Sequence, residues 1–128
     1  MHKFAFVVAL TLGTLASPVL AHHSAAAEYD VNSTITIQGT ITKVEWLNPH
    51  VRFYVDVKSA DGKVVNWEIE TGGPNGLVRA GFSRTSLKIG DPITVEAYKA
   101  KDGTNLADAV KITLADGRKL SPSPSDGK

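Results

Sequence analysis

The side chains of this chain best suited to hold a metal are histidines: His22 and His23 side by side, and His50 in the segment Trp46-Leu47-Asn48-Pro49-His50. If the chain is cut after Ala21, His22 becomes the N-terminus. A free α-amine has an ordinary pKa of about 7.7–8, so it gives up its proton to a metal at little cost. The amine and the Nδ1 of an N-terminal histidine chelate as one unit. A further imidazole completes a T-shaped set of nitrogens, the arrangement called a histidine brace. His50 is the candidate for that donor, and His23 is its substitute. Amine and imidazole nitrogens favour Cu(II), with Zn(II) the alternative and Ni(II) also suited. Cysteine is absent and Met1 is the sole methionine, which excludes thiolate, blue-copper and soft Cu(I) sites. The plainer alternative is a pair of histidines in a mobile tail, with the His50 ring capping a hairpin through a backbone carbonyl.

Other residues carry weaker signals. Trp46, Asn48 and Tyr54 are candidate ligand-binding residues around His50. An asparagine before proline favours extended backbone, and a tryptophan there can wall a pocket. Glu68 and Glu70 stand two apart, as paired acids for proton transfer would, but no nucleophile accompanies them, and a solvated polar face is the expectation. No catalytic residue is assigned. Thr71-Gly72-Gly73-Pro74-Asn75-Gly76 lacks the Lys-Ser/Thr of a phosphate loop and reads as a structural turn. Lysine and arginine total 14 against 13 aspartate and glutamate, so there is no basic excess for nucleic acid.

The start of the chain resembles an address. His2 and Lys3 precede the apolar run Phe4 to Leu12, and Val19 and Ala21 occupy the small-residue positions of a signal-peptidase site. Residues 1–21 are expected to be a cleaved signal peptide, with cleavage after Ala27 the competing choice. The run is too short to span a bilayer, which takes about 20 apolar residues, so no membrane span is expected after cleavage. The protein is then periplasmic or secreted. Losing Lys3 leaves acids and bases equal in number.

The elements that must position these residues read as strands. Residues 22–33 are expected to form a mobile arm. From Thr34, Ile35, Ile37 and Ile41 share one parity, and Val44 and Trp46 the other. A parity change just after Gly39 predicts a bend or bulge near Thr42-Lys43. Val51, Phe53, Val55 and Val57 alternate with polar residues, as do Val65, Trp67 and Ile69, with the turn signal Asp61-Gly62 between the runs. Pro74 opens a short helix facing the core through Leu77 and Val78, and Gly81 stops it. Ile93, Val95 and Ala97, then Val110, Ile112 and Leu114, make the last strands, with turns at Asp102-Gly103 and Asp116-Gly117. Strands in this order, with one short helix between the third and fourth, predict an all-β chain. The expected architecture is a small five-stranded OB-like Greek-key barrel over residues 34–120. An open sandwich or roll is the competing arrangement. Residues 121–128, SPSPSDGK, are expected to be a disordered tail.

His22-His23-Ser24, Gly39-Thr40-Ile41, Trp46 to His50, Asn66 to Glu70, Gly73 to Leu77 and Leu87 to Asp91 together resemble one family of small exported bacterial proteins classed as a domain of unknown function. The resemblance spans about Ala21 to Leu120 and implies an exported single-domain β protein. Ala25 and Phe82 stand where that family often has aromatic and tryptophan residues. The functional expectation is a periplasmic copper-binding carrier or sequestering domain using His22, His23 and His50. The alternative is a metal-free binding or adaptor module for a peptide, glycan or protein partner.

Overall fold

The computed structural model describes residues 25–122. The expected signal peptide, His22, His23 and the end of the tail lie outside the described residues. The chain runs α1 (Ala25–Glu28), β1 (Tyr29–Glu45), β2 (Arg52–Lys58), β3 (Val64–Glu70), α2 (Pro74–Arg79), β4 (Pro92–Ala100), β5 (Leu106–Thr113) and β6 (Lys119–Leu120). The strands form one sheet in the order β3-β2-β1-β4-β5-β6, and a β3–β5 pairing closes it into a barrel-like ring. The closing pair is parallel, while the other pairs are antiparallel. The fold is mainly β, with the strand order and helix position expected from sequence.

β1 makes the ring possible by serving two partners. It pairs with β4 from Tyr29 to Thr40 and with β2 from Thr40 to Glu45. The switch falls at Thr40; at the neighbouring Gly39 a Cβ would stand 2.1 Å from the carbonyl oxygen of Asp56. Only glycine lets the two backbones approach that closely. The register then shifts between Ile41 and Lys43. This bulge explains the parity change: Ile37 and Ile41 are buried before it, and Val44 and Trp46 pack against the core after it.

The core is the ring interior, where Phe53, Val55, Ile69, Val95 and Ile112 are fully buried. Helix α2 contributes Leu77, also fully buried. Pro74 stands in its first turn, and Gly81, at φ +100°, ends it.

Several expectations need correction. The domain begins earlier than residue 34: residues 29–33 belong to β1, and Tyr29 is buried. Asp30, Asn32 and Ser33 do interrupt the pattern, but as a register shift within a strand. The Asp30 carboxylate accepts hydrogen bonds from the Asn32 amide and the Ser33 hydroxyl there. A short sixth strand, β6, follows the Asp116-Gly117 turn and pairs Leu120 with Ile112. Pro122, in the expected tail, is buried. Trp67 is half-buried, not core: it packs on the core from the β2–β3 hairpin, which runs beyond the ring and leaves Val64 and Val65 exposed. Lys99 Nζ lies 5.9 Å from the Trp67 ring centre. Val78 is exposed, because so short a helix turns only one face inward. Glu70, expected on a solvated face, is buried.

Candidate functional site

His50 sits where two loops are pressed together. The loop after β1 contains a cis Asn48-Pro49 peptide bond. The loop after β3 meets it through backbone hydrogen bonds from Val51 N to the Gly72 carbonyl and from Thr71 N to the Val51 carbonyl, both 3.0 Å. The Thr71 hydroxyl donates to the same Val51 carbonyl at 2.9 Å. At Gly73 an added Cβ would stand 2.9 Å from the Pro49 carbonyl oxygen, so the Gly-rich run is there for close approach.

This contact orients the His50 ring. Its Nδ1 is 3.0 Å from the carbonyl oxygen of Thr71. A carbonyl can only accept, so Nδ1 carries the hydrogen and donates it. The ring's other nitrogen, Nε2, faces Glu70 Oε1 at 3.8 Å, with the His50 side chain 26% exposed. The expected backbone-carbonyl cap is therefore present, and it leaves Nε2 turned toward a carboxyl group.

Glu70 gathers the rest of the site. It ends β3, between Arg52 of β2 and Asp108 of β5. Its Oε2 accepts a 2.6 Å hydrogen bond from the phenol of Tyr29, the first residue of β1. Its Oε1 lies 3.6 Å from an Arg52 guanidinium nitrogen, and the other terminal nitrogen of Arg52 is 3.5 Å from Glu68 Oε1. Burial, then the hydrogen bond to Glu70, then the nearby acids including Asp108, push the Tyr29 phenol well above its ordinary range. Tyr29 therefore stays a hydrogen-bond donor. The Ala26 carbonyl just before it accepts from Lys101 Nζ, and the Glu28 carbonyl accepts from the Lys101 amide. The start of the described chain is thereby pinned beside the Glu70–His50 pair.

The remaining candidates are spread around this point. Asn48 and His50 line a shallow depression with Glu45, Leu47, Pro49 and Arg52. Trp46 packs on the core. Tyr54 lies opposite Glu68 in the β2–β3 register, with Lys43 Nζ 5.1 Å from its ring centre. Burial, then Glu68 and Glu45, raise the Tyr54 phenol above its ordinary value. His22 and His23 lie outside the described residues. Among the described residues, no three His, Cys, Asp or Glu side chains are grouped to hold a metal ion.

Sequence reasoning missed Tyr29 and the role of Glu70. One signal was available: Tyr29 is a lone aromatic in a stretch of alanines and polar residues. Such a residue often anchors an otherwise weak segment.

Fold and site together define a small mainly-β domain closed into a ring, with an oriented imidazole beside a buried carboxyl at one edge. The chain belongs to the family of unknown function DUF6152, whose model matches residues 10–108, a span that contains Tyr29, His50 and Glu70. A comparison with curated proteins finds no match. Among the described residues, no helix is long and apolar enough to cross a membrane.

Proposed function

We propose that this is an exported Cu(II)-binding domain that carries or sequesters the metal in the periplasm or outside the cell, with zinc the alternative metal. The observation that carries this reading is the His50 ring. A metal-binding histidine commonly donates its second ring N–H to a carbonyl or carboxylate, which fixes the ring and leaves the other nitrogen as ligand. His50 has that arrangement through Thr71. The α-amine and ring of His22, exposed by cleavage after Ala21, supply the remaining nitrogens, with His23 as substitute. His22 precedes the start of α1 at Ala25 by three residues, an extended span of about 10–11 Å, and Tyr29, which follows α1, is bonded to the acid that faces His50.

The test uses protein exported and processed in its natural way, since any residue ahead of His22 removes the amine donor. Intact mass should place the mature start at His22. Cu(II) affinity, read against a competing chelator, should fall at least tenfold on N-terminal acetylation and again in His50→Ala. A start at Glu28, or a peptide of residues 22–33 binding Cu(II) as tightly as the whole protein, overturns the reading.

The alternative is a metal-free binding or adaptor module. The observation in its favour is Leu47, 62% exposed at the rim of the depression that holds Asn48 and His50. A peptide, glycan or protein partner would use that rim with Tyr54.

A further inference from the structure

We infer that the outer edge of β3, residues 64–67, docks a second copy of this chain, edge to edge and antiparallel, about a two-fold axis at Val65. The contact uses none of the residues of the copper reading above.

The edge is open because the β2–β3 hairpin outruns the ring. β3 pairs with β2 from Val64 to Glu70, but with β5 only from Glu68 to Glu70. Among the described residues, no strand pairs with the other side of residues 64–67. The strand period fixes which backbone groups face that side. The Glu68 amide points away from β2 and donates to the Asn105 carbonyl at 2.9 Å. Residues two and four earlier point the same way, so the amides and carbonyls of Asn66 and Val64 face outward. Natural edges are commonly guarded by charge, proline or a bulge. Residues 64–67, Val-Val-Asn-Trp, carry neither charge nor proline, and their register with β2 is unbroken. Val64 is 58% exposed and Val65 38%.

This edge is complementary to itself. Setting Val65 opposite Val65 of the second copy puts Val64 opposite Asn66 and Asn66 opposite Val64. Each such pair exchanges both of its backbone hydrogen bonds, so every outward amide and carbonyl is used. A register one step toward the turn pairs Asn66 with Gly62, where the hairpin reverses. A step the other way pairs Val64 with Glu68, whose amide already bonds Asn105. The charges fit the middle register. Lys63 flanks the seam and falls opposite Trp67 of the second copy, where an ammonium is attracted to the indole face. Trp67 already has such a neighbour in its own chain, with Lys99 Nζ 5.9 Å from the ring centre. No like charges come face to face. Val57 and Val65 are opposed in register and Trp67 shares their parity, so these residues of both copies join into one apolar strip across the seam. A two-fold contact of this kind closes at the dimer and does not propagate. So short a seam makes the dimer a weak, concentration-dependent one.

The experiment follows the mass of the processed protein by sedimentation velocity from micromolar to millimolar concentration, with a chelator present so that no metal bridges two copies. Wild type should pass from monomer toward dimer with no larger species. Val65→Arg and Val65→Glu each set like charges opposite one another at the axis and should each weaken association at least tenfold. Mixed together, they should associate more tightly than either does alone, because Arg then faces Glu. Asn66→Pro removes an outward N–H and no ladder bond to β2, whereas Asn66→Ala loses the same side chain and keeps that N–H. The proline variant should stay monomeric at concentrations where the alanine variant dimerises. This second pair keeps the dimer testable if circular dichroism shows a Val65 variant to be unfolded. A wild type that is monomeric at every concentration overturns the inference. So does association that is unchanged in Val65→Arg and Asn66→Pro, or a mixture of folded Val65 variants that associates no better than its components.

Discussion

The acids of the hairpin turns and the acid at the end of β3 satisfy themselves in opposite ways. Asp61, Asp102 and Asp116 each precede a glycine at positive φ, +84°, +82° and +89°. Each carboxylate accepts from the backbone amide two residues on, in Lys63, Thr104 and Arg118. Side chains beside them complete the pattern: Ser59 bonds Asp61, the Thr104 hydroxyl bonds Asp102, and the Arg118 guanidinium bonds Asp116. Every partner is local and every turn is exposed. Glu70 is buried, and its hydrogen-bond donor Tyr29 is 41 residues away in sequence. The turn acids shape the chain where they stand. Glu70 joins strands that meet only when the ring closes.

The core sets the scale against which both kinds of acid are measured. Phe53→Ala removes a fully buried ring and should cost about 3–5 kcal/mol, read from the midpoint of denaturant unfolding. A loss below about 1 kcal/mol would mean that the inward face of β2 is wrongly assigned.

Glu70→Ala comes next. It leaves the buried Tyr29 hydroxyl without its acceptor and removes the carboxylate facing His50 and Arg52. A buried donor left unsatisfied costs about 1–3 kcal/mol. Alanine at Asp61, Asp102 or Asp116 should each cost less, because water can replace the lost carboxylate. Equal losses at Glu70 and at a turn aspartate would mean that Glu70 is held no more tightly than the turn acids.

This difference also explains what could be read from the residues alone. Asp-Gly pairs announce turns because the signal and its partners lie within a few residues. The strands, the Gly39 bend and α2 were legible for the same reason: period-two alternation, a glycine before a parity change, a proline at a helix start. From sequence Glu70 reads as solvated because its alternation with Ile69 implies an outward face. That face is outward in β3 taken alone, and it is covered by groups from other elements, Tyr29 at the start of β1 among them. No local pattern carries that information. From sequence Tyr29 reads as part of a mobile arm because Asp30, Asn32 and Ser33 break the alternation. The break is a register shift inside the strand, and recognising it requires β4 as partner. Leu120 was missed likewise, since two residues are too few for a period. His50 stands out in the sequence after Asn48-Pro49, but the carbonyl that orients its ring comes from the loop after β3.

Tyr29→Phe sharpens the comparison through pH. It should cost about 1–2 kcal/mol at neutral pH, the worth of a buried hydrogen bond to a carboxylate. The phenol's ordinary pKa is 10.0 and folding raises it. Folding therefore holds this proton more tightly than the unfolded chain does. The stabilisation is complete below about pH 10 and declines as pH rises further, where the unfolded chain has released the proton and the folded chain still retains it. Urea midpoints for wild type and Tyr29→Phe should differ by a constant amount from pH 7 to about 9.5, then converge. Groups common to both proteins cancel in the difference. A gap that stays constant above pH 10 would mean that burial and the Glu70 hydrogen bond do not raise the Tyr29 phenol.

The smallest effect belongs to the turn acids, and it has the opposite pH dependence. The Ser59 hydroxyl and the Lys63 amide hold the Asp61 carboxyl below its ordinary 3.8, the Thr104 hydroxyl and amide do so for Asp102, and the Arg118 amide and guanidinium do so for Asp116. A depressed value means that the unfolded chain takes up the proton first. The stabilisation is present above about pH 4 and is lost as pH falls through the folded values. Asparagine keeps the side-chain oxygen that accepts from the backbone amide and removes the charge. The triple variant Asp61→Asn, Asp102→Asn, Asp116→Asn should therefore keep all three turns and lose only the charged contribution. Its urea midpoint should lie slightly below wild type at pH 6 and meet it near pH 2. All three groups are exposed, so salt should shrink the difference at pH 6, whereas the loss in Glu70→Ala should persist in 1 M salt. A triple variant that loses as much as Glu70→Ala, or that fails to converge with wild type in acid, would show that the turn acids support more than their own hairpins.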